Sequence, residues 1–285
     1  MNMQTVNLFL KEDHTWLSNV DLFNLLKKMK ADECEVLYIH SALSFGMPNP
    51  ALKRSELLGC ICETLFALGV PTLCMPTFTF SFCNGKLYDP QASASRMGAL
   101  NEFFRKQQGV IRSLDPLMSV ALYGKDKELA TGIGKASVGK NSTFDKLHDR
   151  ERVKFLFLGT RIGDCFTYMH YLEWLYQVDY RYERIFRGEV VSAGQSSQQE
   201  YSLFVRYREV LPNRGSYMYE QLMYDWGVAL IYPFGNTTVS IVEEKPAAIW
   251  YKKCLEQNPY YFVDVKNGRL LRDETFVLEK EMVAL

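Results

Sequence analysis

Two apolar runs that enclose a helical pattern constrain the fold of this chain more than any other feature. Residues 35–40 and 70–75 have the composition of buried strands, and the pattern from Lys53 to Leu68 between them is helical, with Gly69 as its stop. A strand, a helix and a second strand in succession indicate a parallel pair, because the helix supplies the crossover connection that parallel neighbours need. The sequence therefore predicts a βαβ unit and an α/β fold.

The other elements extend this unit on both sides. Before residue 178 we predict helices at 18–30 and 97–108, strands at 119–124 and 153–158, and a helix from Thr167 to about Val178. Beyond residue 178 we predict hairpins at 185–206 (with the loop 192–200) and 230–242, helices at 215–227 and 246–257, and a turn at Asn267-Gly268. We expect one domain over 1–285, with an α/β core to about 178 and an α+β extension over about 179–285. Its central sheet is predicted to be mixed, largely parallel and flanked by helices.

Composition narrows the class of protein. Lys plus Arg equals Asp plus Glu, at 33 each, so charge gives no argument for a nucleic-acid partner or an acidic membrane surface. No apolar run is long enough to span a membrane, and the first 16 residues lack a signal-peptide pattern. Seven cysteines, mostly in apolar runs, indicate reduced thiols and a cytoplasmic protein. The aromatic content of 14% leaves a homodimer open.

Thr167, His170 and Glu173 are the strongest cluster of chemically active side chains. They stand three residues apart, so on a helix they line one side. The helix follows a strand and the Gly-rich turn 159–163, and ligands bind at such corners of α/β sheets. The alternative is that His170 is a buried histidine of an otherwise apolar helix.

Five short motifs occur in order between residues 40 and 173. They are His40-Ser41-Ala42-Leu43-Ser44-x-Gly46, Met75-Pro76-Thr77-Phe78-Thr79, Met97-Gly98-Ala99-Leu100-x-x-Phe103-Phe104-Arg105, Gly109-Val110-Ile111-Arg112-Ser113-Leu114-Asp115-Pro116-x-x-Ser119 and Thr167-x-x-His170-x-x-Glu173. Together they resemble the aminoglycoside N(3)-acetyltransferase family of antibiotic acetyltransferases. The resemblance implies that family's α/β fold, which is not the GNAT fold, and acetyl transfer from acetyl-CoA to an amine of a sugar-like ring.

The resemblance assigns roles to the helix cluster. His170 is the expected general base, because an amine loses a proton when it attacks a thioester and histidine titrates near neutral pH. Glu173 is expected to orient the imidazole and to stabilise its charged form, unless it is a solvated carboxylate or binds a substrate cation. Thr167 is expected to donate to the oxyanion, unless it bonds back to a helix carbonyl.

The resemblance also implies the ligand contacts. The loop after His40 would hold the pantetheine arm and phosphates of acetyl-CoA, with Ala42 where the family usually has a second serine. The expected cofactor-binding residues are Ser41, Leu43, Ser44, Gly46, Thr77, Arg112, Ser113 and Ser119, and the expected substrate-binding residues are Thr79, Asp115 and Asp164. No metal is expected. For His40 itself, we favour a structural role at the strand end, bonded to a backbone carbonyl.

Asp115 is the clearest departure from the family pattern, which has histidine there. A carboxylate at this place favours a cationic amine, or pairs with Arg112, or only forms a turn before Pro116. We take the change as a sign that acceptor or donor contacts differ from those of the resistance enzymes.

The sequence thus predicts an acyl-CoA-dependent N-acetyltransferase that acts on a small-molecule amino sugar, free or nucleotide-linked, for surface polysaccharide or natural-product synthesis. Balanced charge does not indicate the strongly acidic cleft that a polycationic drug calls for. Two alternatives stay open: an aminoglycoside 3-N-acetyltransferase that confers antibiotic resistance, and a non-catalytic CoA-binding protein with the same fold.

Overall fold

The computed structural model describes residues 4–265 as an α/β fold. Its strands are β1 (Asn7–Leu10), β2 (Trp16–Ser18), β3 (Val36–Ser41), β4 (Met47–Pro48), β5 (Thr72–Pro76), β6 (Ile111–Arg112), β7 (Val120–Gly124), β8 (Val153–Leu158), β9 (Arg181–Ser192), β10 (Gln195–Arg206), β11 (Val210–Pro212), β12 (Ala229–Phe234), β13 (Thr237–Glu243) and β14 (Val263–Val265). Its helices are α1 (Asn19–Lys28), α2 (Arg54–Ala67), α3 (Ala99–Phe104), α4 (Glu128–Thr131), α5 (Thr143–His148), α6 (Ile162–Cys165), α7 (Tyr168–Leu175), α8 (Ser216–Asp225) and α9 (Glu244–Gln257).

A seven-stranded sheet with the order β12-β13-β8-β3-β5-β7-β6 forms the centre. The strands β8, β3 and β5 are parallel, and the remaining pairings are antiparallel. The predicted α/β class with a mixed central sheet is confirmed, and its parallel part is these three central strands. The unit β3-α2-β5 is the predicted βαβ unit.

Alternation along β3 shows how the sheet is buried on both faces. Val36 and Tyr38 belong to one hydrophobic cluster, and Leu37 and Ile39 belong to the cluster on the opposite face. Because β3, β5 and β8 run in the same direction, their carboxyl ends meet at one edge, where Ser41 pairs with Leu158. This edge carries the segments that the sequence assigned to the site.

The residues beyond 178 contribute strands to the central sheet in addition to packing against the core. The hairpin β12–β13 pairs with β8 and so extends the central sheet. Both predicted hairpins are confirmed, but the predicted loop 192–200 is wrong. The strands β9 and β10 continue to a tight turn at Ala193-Gly194, both with positive φ. Residues 195–200 are polar and lie in a mostly exposed part of β10. A polar, exposed strand has no alternating apolar pattern, so the sequence did not distinguish it from a loop.

Helix ends differ from the predicted ones where backbone geometry decides. Ser18 caps α1 through a capping box with Asp21, as predicted. In contrast, α3 begins only after Gly98, whose φ of 106° is not helical. Pro246 lies at the third residue of α9 rather than the first. The predicted Asn267-Gly268 turn lies outside the described residues.

Within residues 4–265, no helix has the length and apolar character needed to cross a membrane. All seven cysteines are free thiols.

Candidate active site

The turn after β8 and the loop after β3 approach each other closely at the carboxyl edge of the sheet. Gly159 has a φ of +70°, and a Cβ there would lie 2.8 Å from the backbone nitrogen of Ser44. The N–H groups of Ala42 and Leu43 donate to the carbonyl of Leu158 at 3.0 and 3.3 Å. The loop is therefore anchored to β8, and these two N–H groups already have a backbone acceptor.

The helix α7 carries the predicted acid–base cluster. Thr167 occupies the N-cap position, and His170 and Glu173 follow one turn apart. His170 Nδ1 lies 3.3 Å from Glu173 Oε2. The imidazole is 35% exposed and the carboxylate only 6%, so the ring reaches the surface while the carboxylate lies beneath it.

Arg181, at the start of β9, completes this cluster and was not predicted. Its Nη2 lies 2.9 Å from His170 Nδ1, and its Nη1 donates to the carbonyl of Phe204 at 3.0 Å. Its Nε lies 2.7 Å from Glu173 Oε2, but this N–H finds no aligned acceptor, so the contact is an ion pair rather than a hydrogen bond. Tyr180 donates to the other oxygen of Glu173 at 3.0 Å.

These contacts fix the charges of the pair. Burial acts to raise the pKa of Glu173, but the positive charge of Arg181, the nearby His170 ring and the hydrogen bond from Tyr180 prevail and lower it to about 2. Partial burial of the ring, followed by the charge of Arg181, lowers the pKa of His170, against the opposing effect of Glu173. The structure thus holds an ionised carboxylate beneath a neutral imidazole at neutral pH.

Three buried polar side-chain atoms lie on β3 and at the N-cap of α7. Thr167 Oγ1, Tyr38 Oη and His40 Nε2 have no hydrogen-bond partner within residues 4–265. The His40 ring stacks on Phe157 at 5.1 Å, and burial lowers its pKa to about 3. The predicted hydrogen bond from His40 to a backbone carbonyl is not formed by Nε2; stacking holds the ring instead. The alternative considered for Thr167, a bond back to a helix carbonyl, is also not formed.

The predicted cofactor contacts on the next segments have their polar groups turned inward. Arg112 donates to backbone carbonyls of Thr77, Pro90 and Ser93. Ser119 donates to the Thr77 carbonyl at 2.8 Å, and Ser113 Oγ accepts from the N–H of Val120. Thr77, Ser113 and Ser119 are fully buried, so these side chains hold the loop after β5 in place.

Asp115 forms a turn and does not pair with Arg112. Its Oδ1 accepts from the N–H groups of Leu117 and Met118 at 2.9 and 3.1 Å, and from Ser137 Oγ at 2.8 Å. The carboxylate is 3% exposed, and burial raises its pKa. Among the interpretations made from the sequence, the structure shows the turn-forming one.

Three further predicted residues follow strands of this edge and form side-chain hydrogen bonds within the protein. Ser41 Oγ donates to Asn101 Oδ1 at 2.8 Å. Thr79 and Ser81 share a hydrogen bond of 2.9 Å. Asp164 accepts from Ser216 of α8.

A basic groove of about 500 Å³ begins beside Ser41. Gly98 lines the groove and also lies against Ser41, since a Cβ at Gly98 would be 3.2 Å from the Ser41 carbonyl oxygen. The groove is lined by Arg54, Leu58, Ser95, Arg96, Gly98, Ala99, Glu102, Phe103 and Lys106. Glu102 is bound by Arg105 and Lys106, so positive charge prevails. The cations come from the start of α2 (Arg54), the loop between β5 and α3 (Arg96) and the residues after α3 (Lys106), and no short motif contains them.

A sequence profile decides the family. The profile of the aminoglycoside 3-N-acetyltransferase family matches residues 63–256. The chain belongs to this family. The resemblance inferred from the five motifs is confirmed, and the chain is an acetyl-CoA-dependent N-acetyltransferase with acetyl-CoA as its co-substrate. No curated protein matches the chain by sequence.

Solved structures share the fold. The aminoglycoside acetyltransferase AAC(3)-Xa superposes with a TM-score of 0.71 at 17% identity, covering 85% of this chain and 93% of its own. AAC-IIIb, solved in a binary complex with CoASH, gives 0.71 at 18%, covering 84% and 96%. The YokD protein from Bacillus subtilis gives 0.66 at 18%, covering 84% and 99%. At such identities the likeness concerns the fold alone.

Proposed function

We propose that the protein transfers an acetyl group from acetyl-CoA to an amine of an amino sugar, with His170 as general base. The observation that carries this proposal is a neutral imidazole that reaches the surface above an ionised, buried carboxylate. A neutral imidazole can accept the proton of the attacking amine, and a carboxylate beside Nδ1 stabilises the imidazolium that forms.

The reaction needs one proton transfer on each side of a tetrahedral intermediate. The amine nitrogen bonds to the thioester carbonyl carbon and gives its proton to His170. The carbon–sulfur bond then breaks, and the thiol of CoA leaves with that proton. Thr167, whose hydroxyl has no hydrogen-bond partner among the described residues, is proposed to donate to the developing oxyanion.

For the donor, we propose that the pantetheine arm lies along the loop of Ser41, Leu43, Ser44 and Gly46, and that the phosphates lie in the basic groove. Arg54 and Arg96 supply exposed cations there, and Leu58 and Phe103 supply an apolar wall. Thr77, Arg112, Ser113 and Ser119 support this site from inside through the loop that they hold.

The groove assignment is tested with donors of different size. Replacing both Arg54 and Arg96 by alanine removes two phosphate partners, so the KM for acetyl-CoA should rise about tenfold or more. The KM for the acetyl thioester of N-acetylcysteamine, which has no phosphate, should stay within about twofold. An equal rise for both donors would contradict the assignment. Lys53 to alanine is a matched control, because Lys53 precedes α2 and is not part of the groove.

For the acceptor, the charges around His170 favour an amino sugar with little positive charge. Arg181 neutralises Glu173, and both Arg181 and Arg206 act on His170 as positive charges. A nucleotide-linked amino sugar carries negative phosphates and suits this surrounding. Thr79, Asp115 and Asp164 are proposed to lie near the acceptor.

The alternative acceptor is an aminoglycoside, which the family description favours. Free-thiol release with monoamine sugars, nucleotide-linked amino sugars and kanamycin- or gentamicin-type drugs separates the two. We expect turnover with an amino sugar of the first two groups. Protection of a susceptible host against the drugs, without turnover of the amino sugars, would contradict the proposed acceptor.

A further inference from the structure

Arg181 decides which nitrogen of His170 can carry a proton. A guanidinium is always charged and only donates hydrogen bonds. Its Nη2 lies 2.9 Å from His170 Nδ1, so Nδ1 must accept in this arrangement. In a neutral imidazole the other nitrogen then carries the proton, which is Nε2.

Glu173 competes for the same nitrogen. Its Oε2 lies 3.3 Å from Nδ1, and a carboxylate at this distance can only accept a proton that Nδ1 carries. The two contacts exclude each other, because Nδ1 cannot accept from Arg181 and donate to Glu173 at once. The shorter contact belongs to Arg181.

We propose that Arg181 is a positioning residue that keeps His170 neutral and holds its proton on Nε2. This inference rests on the proposed function, in which His170 is the base. With Nε2 protonated, the ring cannot take a proton from an amine. The base forms when the guanidinium leaves Nδ1. The proton on Nε2 then passes to solvent, and Nδ1 takes up a proton from solvent. The resulting Nδ1–H donates a hydrogen bond to Glu173, and Nε2 is free to accept the proton of the amine.

The surroundings of His170 support a control of this kind. The His170 ring contacts Glu173 of its own helix and Arg181 of β9. The positive charge of Arg206 in β10 also acts to lower its pKa. Beneath them Tyr180 binds Glu173, and the buried carboxylate also acts on Tyr219 and Tyr251. Arg181 contacts both members of the His170–Glu173 pair.

Nitrogen NMR of histidine-labelled enzyme reads the tautomer directly. The chain has four histidines, and a His170→Gln spectrum assigns the relevant signals. The ligand-free enzyme at neutral pH should show His170 with a bare Nδ1 and a protonated Nε2. A proton found on Nδ1 would overturn the proposal.

Arg181→Lys separates the tautomer from the charge. A single ammonium still neutralises Glu173, but it lacks the fork that reaches Nδ1 while contacting the carboxylate. We expect this variant to fold and its His170 proton to move to Nδ1, donated to Glu173. An unchanged tautomer in Arg181→Lys would contradict the role of the fork.

Arg181→Met tests the charge. Loss of a cation that close should raise the titration midpoint of His170 by about one to three pH units. Arg187→Met is the matched control, because Arg187 lies on the same strand, is 70% exposed and pairs with Glu200. An unchanged midpoint in Arg181→Met would overturn the charge role; if that variant does not fold, the tautomer in Arg181→Lys decides.

The same variants distinguish this inference from the proposed function. If His170 is the base, the acid limb of kcat/KM moves to higher pH with the NMR midpoint in Arg181→Met. If the midpoint moves and the acid limb does not, Arg181 controls the ring but His170 is not the base. In that case the proposed function fails while the tautomer assignment stands.

Discussion

At the scale of single residues, the chemistry of this chain depends on which charges are buried and how they are paired. The spacing of Thr167, His170 and Glu173 was sufficient to predict that they share one side of a helix. It could not predict Arg181, which reaches them from another element, nor that Thr77, Ser113 and Ser119 face inward. Such contacts between distant residues leave no signal in a short motif.

His40 gives a prediction on stability. Its pKa is about 3 in the folded protein and near 6.5 in an unfolded chain, so below about pH 6.5 the unfolded chain takes up a proton that the native ring does not. The free energy of unfolding should therefore fall, by about 1.4 kcal/mol per pH unit from this residue, as pH drops toward 3.

The test replaces His40 with phenylalanine, which keeps the stack on Phe157. Urea unfolding of both proteins between pH 7 and pH 4 should show a smaller decrease for the variant. Equal decreases would mean that the buried ring is not neutral in the native state.

Asp115 gives a second prediction. Asp115→Ala leaves two backbone N–H groups and the Ser137 hydroxyl without their acceptor in a buried turn, so it should lower the free energy of unfolding by about 2 kcal/mol or more. Asp115→Asn keeps an acceptor oxygen and should cost less than half as much. Chemical denaturation measures both, and equal losses would refute the turn-forming role.

At the scale of elements, the periodic segments were predictable and the close approaches were not. The βαβ unit, the capping box of α1 and both later hairpins followed from patterns that the local sequence contains. The pairing of β13 with β8 joins residues far apart in the chain, and the anchoring of the Ser41–Gly46 loop depends on how closely two backbones meet.

Gly159 tests that anchoring. Gly159→Ala combines a φ of +70° with a Cβ 2.8 Å from the Ser44 nitrogen, whereas Gly194→Ala has a φ of +78° and nothing within 4 Å. Both should lose about 1 kcal/mol from backbone strain. The Gly159 variant should lose more, and the KM for acetyl-CoA should rise several-fold in it alone. Matching losses of stability and matching KM values in the two variants would argue against a role for the close approach.

At the scale of the whole molecule, the site combines the α/β core with the C-terminal extension. The helix α7 belongs to the core that ends at about residue 178, and Arg181 begins the first hairpin of the extension over about 179–285. The strands β12 and β13 extend the central sheet beside β8. We propose that the chain is a single domain, because neither the core nor the extension buries its sheet or completes the His170 cluster without the other.

The central claim is that His170 removes the proton of the acceptor amine. Its most direct test is the acetyl-transfer rate of His170→Gln with acetyl-CoA and an accepted amine, read by free-thiol release, with His14→Gln at an exposed turn as the control. We predict a loss of about 10²- to 10⁴-fold in kcat/KM for His170→Gln and none for the control. A His170→Gln enzyme as fast as the wild type at pH 7 would contradict the claim.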